Sequence, residues 1–120
     1  MKPKRGFKRS ERVSQQLYEL LASNLLTAVS DPRVMDVQIT HVDLTPNLRY
    51  ARIYYVLFGD GDRGFDPEVQ EALEGSLGLL KREVAAQLQL KYLPLMEFKY
   101  DESLERGRRI EDILSKLDDI

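Results

Sequence analysis

Apolar side chains fall on one helical face from Ser10 to Val29: Val13, Leu17, Leu20, Leu21, Leu25 and Ala28. That spacing predicts an amphipathic helix with Ser10 as its N-cap. Ser30-Asp31-Pro32 ends it, because the residue before a proline is steered away from helical dihedrals. From Val34 to Leu44 the period changes to two. Val37 and Ile39 share one face, then Val42 and Leu44 take over in the opposite phase, which predicts a β-bulge near His41. Thr45-Pro46-Asn47 reads as a turn and Leu48 to Phe58 as a second strand, so the two strands form a hairpin. Ala51, Ile53, Tyr55 and Leu57 alternate with Tyr50, Arg52, Tyr54 and Val56; the first set carries no charge and is assigned to the core.

Gly59 to Gly64 has the composition of a loop. Asp66-Pro67 then opens a second helical region, with Asp as N-cap and Pro at the first helical position. Val69, Leu73, Leu77, Leu80, Val84 and Leu88 keep helical spacing to about Leu90, and Pro94 stops it. Met96, Phe98 and Tyr100 alternate with Leu95, Glu97 and Lys99 as a third strand. Ile110 to Leu117 reads as a short final helix or tail. Gly75 and Gly78 interrupt the second helical region and divide it in two. The predicted order is α-β-β-α-α-β. It makes an α+β domain with a three-stranded sheet, helices on one face, and Arg52, Tyr54, Glu97 and Lys99 on the other.

A chain of 120 residues is one domain's worth, and 42% hydrophobic content supports an ordinary core. The expectation is therefore a single domain over residues 1–120, with a basic, flexible start at 1–9. Absence of cysteine excludes disulfides and thiol chemistry. No apolar run resembles a signal peptide or a membrane span, so the chain reads as soluble and cytoplasmic. The formal net charge of −2 hides an asymmetry. Residues 1–12 carry +5 from Lys2, Lys4, Arg5, Lys8, Arg9 and Arg12 against Glu11. Asp60 to Glu74 holds six acids against Arg63 alone. Potential acts locally, over a Debye length of about 8 Å, so the segments matter more than their sum.

Catalytic chemistry has no visible machinery. His41 is the only histidine and lies in a strand, and no nucleophile motif or phosphate loop is present. No cofactor, metal or small-molecule substrate is implied. Asp60, Asp62 and Glu71 have the spacing of calcium-loop ligands, but Phe65 stands where that loop needs glycine. The plainer reading is a solvated loop before a helix start that favours carboxylates. Gly75-Ser76-Leu77-Gly78 spells the G-x-x-G with which KH domains clamp a nucleic-acid backbone. Glu74 before it and the uncharged Ser76-Leu77 pair argue against a clamp; a kink at Ser76, Leu77 and Gly78, or close packing, remain as readings.

The ordered set of segments resembles the ribosome-binding factor A family. RVSQQLYELLASNLL with Asp31-Pro32-Arg33 is similar to its first helix and turn, and ITHVDLTPNLRYARIYYVLFG to its hairpin. LKREVAAQLQLKYLPLMEFKYDESLERGRRIEDIL is similar to its last helix, the Pro94–Phe98 strand, and the elements at Tyr100–Ser103, Gly107 and Ile110. The resemblance implies a type II KH-like fold in which an Ala-x-Gly helix kink replaces the clamp. Ser76-Leu77-Gly78 stands there, with Ser76 departing from alanine, and Asn47 stands where aspartate is common. It also implies a non-enzymatic factor that binds immature 30S subunits through 16S rRNA. Such a factor supports late maturation, including 5′-end processing, and matters most in the cold. It would be monomeric, would bind no membrane, and would have a functional link to a ribosome-associated GTPase. The long charged C-terminal extension of some members is not matched in the segment ending Asp118-Asp119-Ile120.

Candidate RNA-binding residues follow from charge. The basic start, Lys2 to Arg12, would reach phosphates, or would be a solvated end. Lys81, Arg82 and Lys91 follow the expected kink; Arg106, Arg108 and Arg109 form a further cluster; Arg49 and Arg52, with Tyr54, offer charge and stacking from the hairpin. The alternative is a KH-like module for protein–protein contacts without direct RNA binding.

Overall fold

A computed structural model describes residues 5–59 and 64–103, with side-chain surroundings from residue 9 onward. Its element order is α1 (Arg5–Thr27), a 3-10 turn (Pro32–Val34), β1 (Val37–Leu44), β2 (Tyr50–Leu57), α2 (Pro67–Gln87) and β3 (Leu95–Tyr100). The strands form one mixed sheet in the order β1-β2-β3. β1 and β2 pair antiparallel as a hairpin, while β2 and β3 run parallel. Parallel neighbours require a long crossover, and α2 supplies it. This is the expected KH-like α+β arrangement.

The core lies between the helices and one sheet face. Leu17, Leu21, Ile53, Tyr55, Leu73, Leu80 and Val84 are fully buried. All four residues assigned to the core of the second strand, Ala51, Ile53, Tyr55 and Leu57, are buried. The phase switch in β1 is a real bulge. Ile39 pairs with Tyr55 and His41 with Tyr54, so Thr40 is left over, and Val37, Ile39, Val42 and Leu44 all reach the core.

Three boundaries differ from the sequence expectation. α1 starts at Arg5 rather than Ser10, and Ser10 is a buried residue within the helix instead of its cap. Lysine and arginine are good helix formers, and the single Gly6 does not outweigh them. The first strand begins at Val37, because Asp31 captures the chain before it. The Asp31 carboxylate accepts from the Arg33 N–H at 2.9 Å and pairs with its guanidinium at 2.8 Å. The hydrogen bond from the Arg33 side chain holds this carboxyl below its ordinary pKa.

The third difference concerns the two glycines. The expected pair of helices is one continuous α2, with Ser76, Leu77 and Gly78 inside it, so a clamp loop is absent here. Each interior glycine costs roughly 1 kcal/mol relative to alanine. Burying a leucine or valine returns about 1.5–3 kcal/mol, and Leu73, Leu80 and Val84 are fully buried on this helix. Ser76 stays within the buried stripe because its hydroxyl donates to the Ala72 carbonyl at 2.8 Å. Close packing does not explain the glycines either, since a Cβ at Gly75 or Gly78 would meet nothing within 4 Å. The proposed tail helix from Ile110 and the Gly59–Gly64 loop's Asp60 and Asp62 lie outside the described residues.

Candidate nucleic-acid interface

The hairpin turn is built to hold Arg49 and Tyr50 still. Thr45 N–H donates to the Tyr50 carbonyl at 2.9 Å, and Leu48 N–H to the Thr45 carbonyl at 2.8 Å. Asn47 Oδ1 accepts from the Thr45 hydroxyl at 2.6 Å and from the Arg49 N–H at 3.1 Å. An aspartate would offer the same acceptor, so Asn47 preserves the turn. Leu48 sits at φ 62°, a left-handed conformation that non-glycine residues rarely adopt. Its side chain packs against the core, which holds it there. Leu95 N–H then donates to the Arg49 carbonyl at 2.8 Å, tying the turn to the start of β3.

Beside this turn lies an open groove of about 560 Å³. Arg9 reaches it from α1, Arg49 from the turn, and Lys91 from the α2–β3 loop. Asn47, leucines 48, 90, 93 and 95 and the rings of Tyr50 and Tyr92 complete the lining among the described residues, and none of these is a carboxylate. A second groove, of about 410 Å³, adjoins it through Arg9 and Leu90 and adds Arg12, again with no carboxylate among the described residues. The two together present four cations from three parts of the chain. None of Arg9, Arg12, Arg49 and Lys91 has an ion-pair partner among the described residues. A third groove, of about 630 Å³ between α1 and β1, is different, since Glu11 and Asp43 line it.

The other predicted cations separate from this cluster. Arg52 lies on the open sheet face in a row with Asp43 and Glu97. Its Nε donates to Glu97 Oε1 at 2.7 Å. Hydrogen bonds to Tyr54 and Glu97 raise its pKa further, and Glu97 neutralises its charge locally. Tyr54 lies outside both grooves, with the His41 ring tilted against it at 4.7 Å between centroids. Lys81 is half-buried and Arg82 exposed on α2, and neither lines the grooves. Arg5 and Lys8 fall on the first turns of α1. Lys2, Lys4, Arg106, Arg108 and Arg109 lie outside the described residues.

Two residues that the charge-based reading passed over belong to the groove. Tyr92 is 76% exposed and Tyr50 is 56% exposed. The Lys91 ammonium sits 5.7 Å from the Tyr92 ring centroid, within cation–π range. The signal was present as the basic–aromatic pairs Arg49-Tyr50 and Lys91-Tyr92. That signal is not sufficient alone. Lys99-Tyr100 has the same form, yet Tyr100 packs edge-on against Tyr55 and Phe65.

Comparison with known proteins bears on this geometry. The family model described as ribosome-binding factor A matches residues 9–114. A ribosome-binding factor A of Geobacter sulfurreducens is 37% identical over 112 residues, covering 93% of each chain. That of Desulfatibacillum aliphaticivorans is 38% identical over 109 residues, covering 91% of this chain and 87% of the relative. The crystal structure of ribosome-binding factor A from Thermus thermophilus superposes with a TM-score of 0.65 at 22% identity, over 76% of this chain and 94% of that one. A Thermus thermophilus homology model, fitted into a cryo-EM map of a complex with the 30S subunit, gives a TM-score of 0.61 at 22% identity. It covers 76% of this chain and 93% of that one.

Proposed function

Because the chain belongs to the ribosome-binding factor A family, we propose that it binds the small ribosomal subunit through 16S rRNA and assists its assembly without catalysing a reaction. The observation that carries this reading is the convergence of Arg9, Arg12, Arg49 and Lys91 on two adjoining grooves that no carboxylate among the described residues lines. Phosphates are the ligand such a surface suits. Each contact releases condensed counterions and adds affinity that does not depend on sequence. The acidic start of α2, with Asp66, Glu68, Glu71 and Glu74, would face away from rRNA. The relative from Thermus thermophilus has been fitted into a 30S complex, which supports the same partner for this chain.

The finer reading is a factor acting late, in the cytoplasm, as a monomer. It supports maturation of the 16S rRNA 5′ end and growth in the cold, and a ribosome-associated GTPase acts on the same particle. No helix among the described residues is long and apolar enough to cross a membrane. Co-sedimentation tests the central claim. The protein should travel with free small subunits and be lost from them at high salt. Equal binding to complete ribosomes, or no binding at low salt, would overturn it.

A further inference from the structure

We propose that the groove of Arg9, Arg49 and Lys91 takes an unpaired RNA strand, with Tyr50 and Tyr92 as stacking platforms for its bases. The proposal rests on the ribosomal reading and specifies which form of RNA this site accepts. Charge alone does not decide between forms, since any phosphate backbone satisfies three cations. The apolar surface beside them does. Tyr92, Leu95 and Tyr50 are 76%, 62% and 56% exposed, and all three line the same groove. Single exposed apolar residues are ordinary on protein surfaces. Three around one groove lined by Arg9, Arg49 and Lys91 form a site with an apolar component to its ligand.

Duplex RNA cannot use that component. Its bases are paired and stacked inside the helix, and it offers phosphates, 2′-hydroxyls and groove edges. An unpaired strand offers both, with phosphates for the cations and ring faces for the tyrosines. The platforms are also prepared for it. Tyr50 follows Arg49 in a turn pinned by Asn47, Thr45 and Leu95, and it pairs with Leu95 across the β2–β3 register. The Lys91 ammonium lies over one side of the Tyr92 ring, so a base stacked on the other side would have a cation beside its phosphate. An acidic peptide would satisfy the cations but would make little use of two tyrosine faces.

The test measures fluorescence anisotropy with a short single-stranded RNA and with the same strand annealed to its complement. The wild type should bind the single strand more tightly, by about ten-fold or more. Stacking on alanine replacement implies that Tyr50→Ala and Tyr92→Ala each lower that affinity about five- to hundred-fold. Their salt dependence should stay as in the wild type, because no charge is removed. Tyr→Phe at both positions should restore binding, since the ring face and not the hydroxyl is used. Both residues are exposed, so circular dichroism should show an unchanged fold. Equal affinity for duplex, unaltered binding of the alanine variants, phenylalanine variants as weak as alanine ones, or displacement of the RNA by an acidic peptide that ignores the Tyr substitutions would each overturn the proposal. Co-sedimentation separates the two readings. If the double alanine variant binds subunits as the wild type does, stacking is wrong and the ribosomal reading stands. If the wild type itself ignores small subunits, the ribosomal reading fails, and the oligonucleotide comparison still judges the groove.

Discussion

The Thr40 hydroxyl donates a 2.7 Å hydrogen bond to the Asp101 carboxylate, joining residues 61 positions apart. Thr40 is the residue that the β1 bulge leaves unpaired, so the bulge is what frees it for this contact. The Asp101 N–H donates to the Tyr55 carbonyl at 2.7 Å, and the carboxylate accepts from the Ser103 N–H and hydroxyl. The exit from β3 is thereby fixed to both other strands. Burial pushes the Asp101 carboxyl up, but the hydrogen bonds from Ser103 and Thr40 outweigh it and leave the pKa below 3.8.

Thr40→Val should therefore cost about 1–2 kcal/mol, since the acceptor is charged but only partly buried. The pH dependence has a definite sign. A depressed carboxyl stabilises the fold above its unfolded pKa, and that stability is lost as pH falls through the folded value. Urea denaturation at neutral pH and below pH 3.8 reads both effects. The valine variant should be less stable at neutral pH and should lose less on acidification; equal acid sensitivity would refute the link.

Gly75→Ala and Gly78→Ala should each stabilise the protein. The new methyl group enters open space on a helix, and alanine is favoured over glycine there by about 0.5–1 kcal/mol. Thermal unfolding measures the gain. Subunit binding, followed in parallel, says what the glycines are for. If the helix bends at Gly78 on the ribosome, the stabilised variant binds less well. If affinity is unchanged, the glycines have no part in binding.

The bulge at Thr40 was legible because a change of phase in a period-two pattern has few other causes. The core face of β2 was legible because charge marked the opposite face. The fate of Gly75 and Gly78 was not, because a local preference of about 1 kcal/mol competes with burial along the whole α2 stripe. Each cation of the groove was legible as a charge. Their meeting was not, since positions 9, 49 and 91 converge only once the hairpin, α1 and the α2–β3 loop pack together. Arg52 looked equivalent to Arg49 as a charge; the register that sets Glu97 beside Arg52 and the groove that Arg49 lines distinguish the two.

Tyr55→Phe should destabilise the core by about 1–2 kcal/mol, because it strands a part-buried acceptor. The Tyr55 hydroxyl donates to Gln70 Oε1, and Gln70 Nε2 donates to the Phe98 carbonyl at 2.9 Å. Gln70 thus links α2 to β2 and β3. Burial, with Glu74 nearby, pushes the Tyr55 pKa from 10.0 up to about 12. The fold holds the proton that the unfolded chain releases first, so this stability is complete below pH 10.0 and lost as pH rises toward about 12. Lysines titrate in the same range, so the comparison is between wild type and variant. The wild type should lose more stability across that window; parallel curves would refute the assignment.

Arg49 and Arg52 differ by three positions, and the structure predicts opposite consequences for them. Arg49 lines the cationic groove, whereas Arg52 is held by Glu97 at 2.7 Å. Each phosphate contact to a single strand contributes about 0.7 to the slope of log affinity against log salt. Replacing Arg9, Arg49 and Lys91 together with alanine should lower that slope by about 2. Arg52→Ala should leave the slope unchanged and alter stability little, as exposed ion pairs contribute little. Lys81→Glu with Arg82→Glu probes whether the interface extends along α2, and a slope change smaller than that of the groove variant is expected. Titrations of RNA binding at several salt concentrations make the comparison. A flatter slope for Arg52→Ala than for the triple variant would move the interface from the groove to the open face of the sheet.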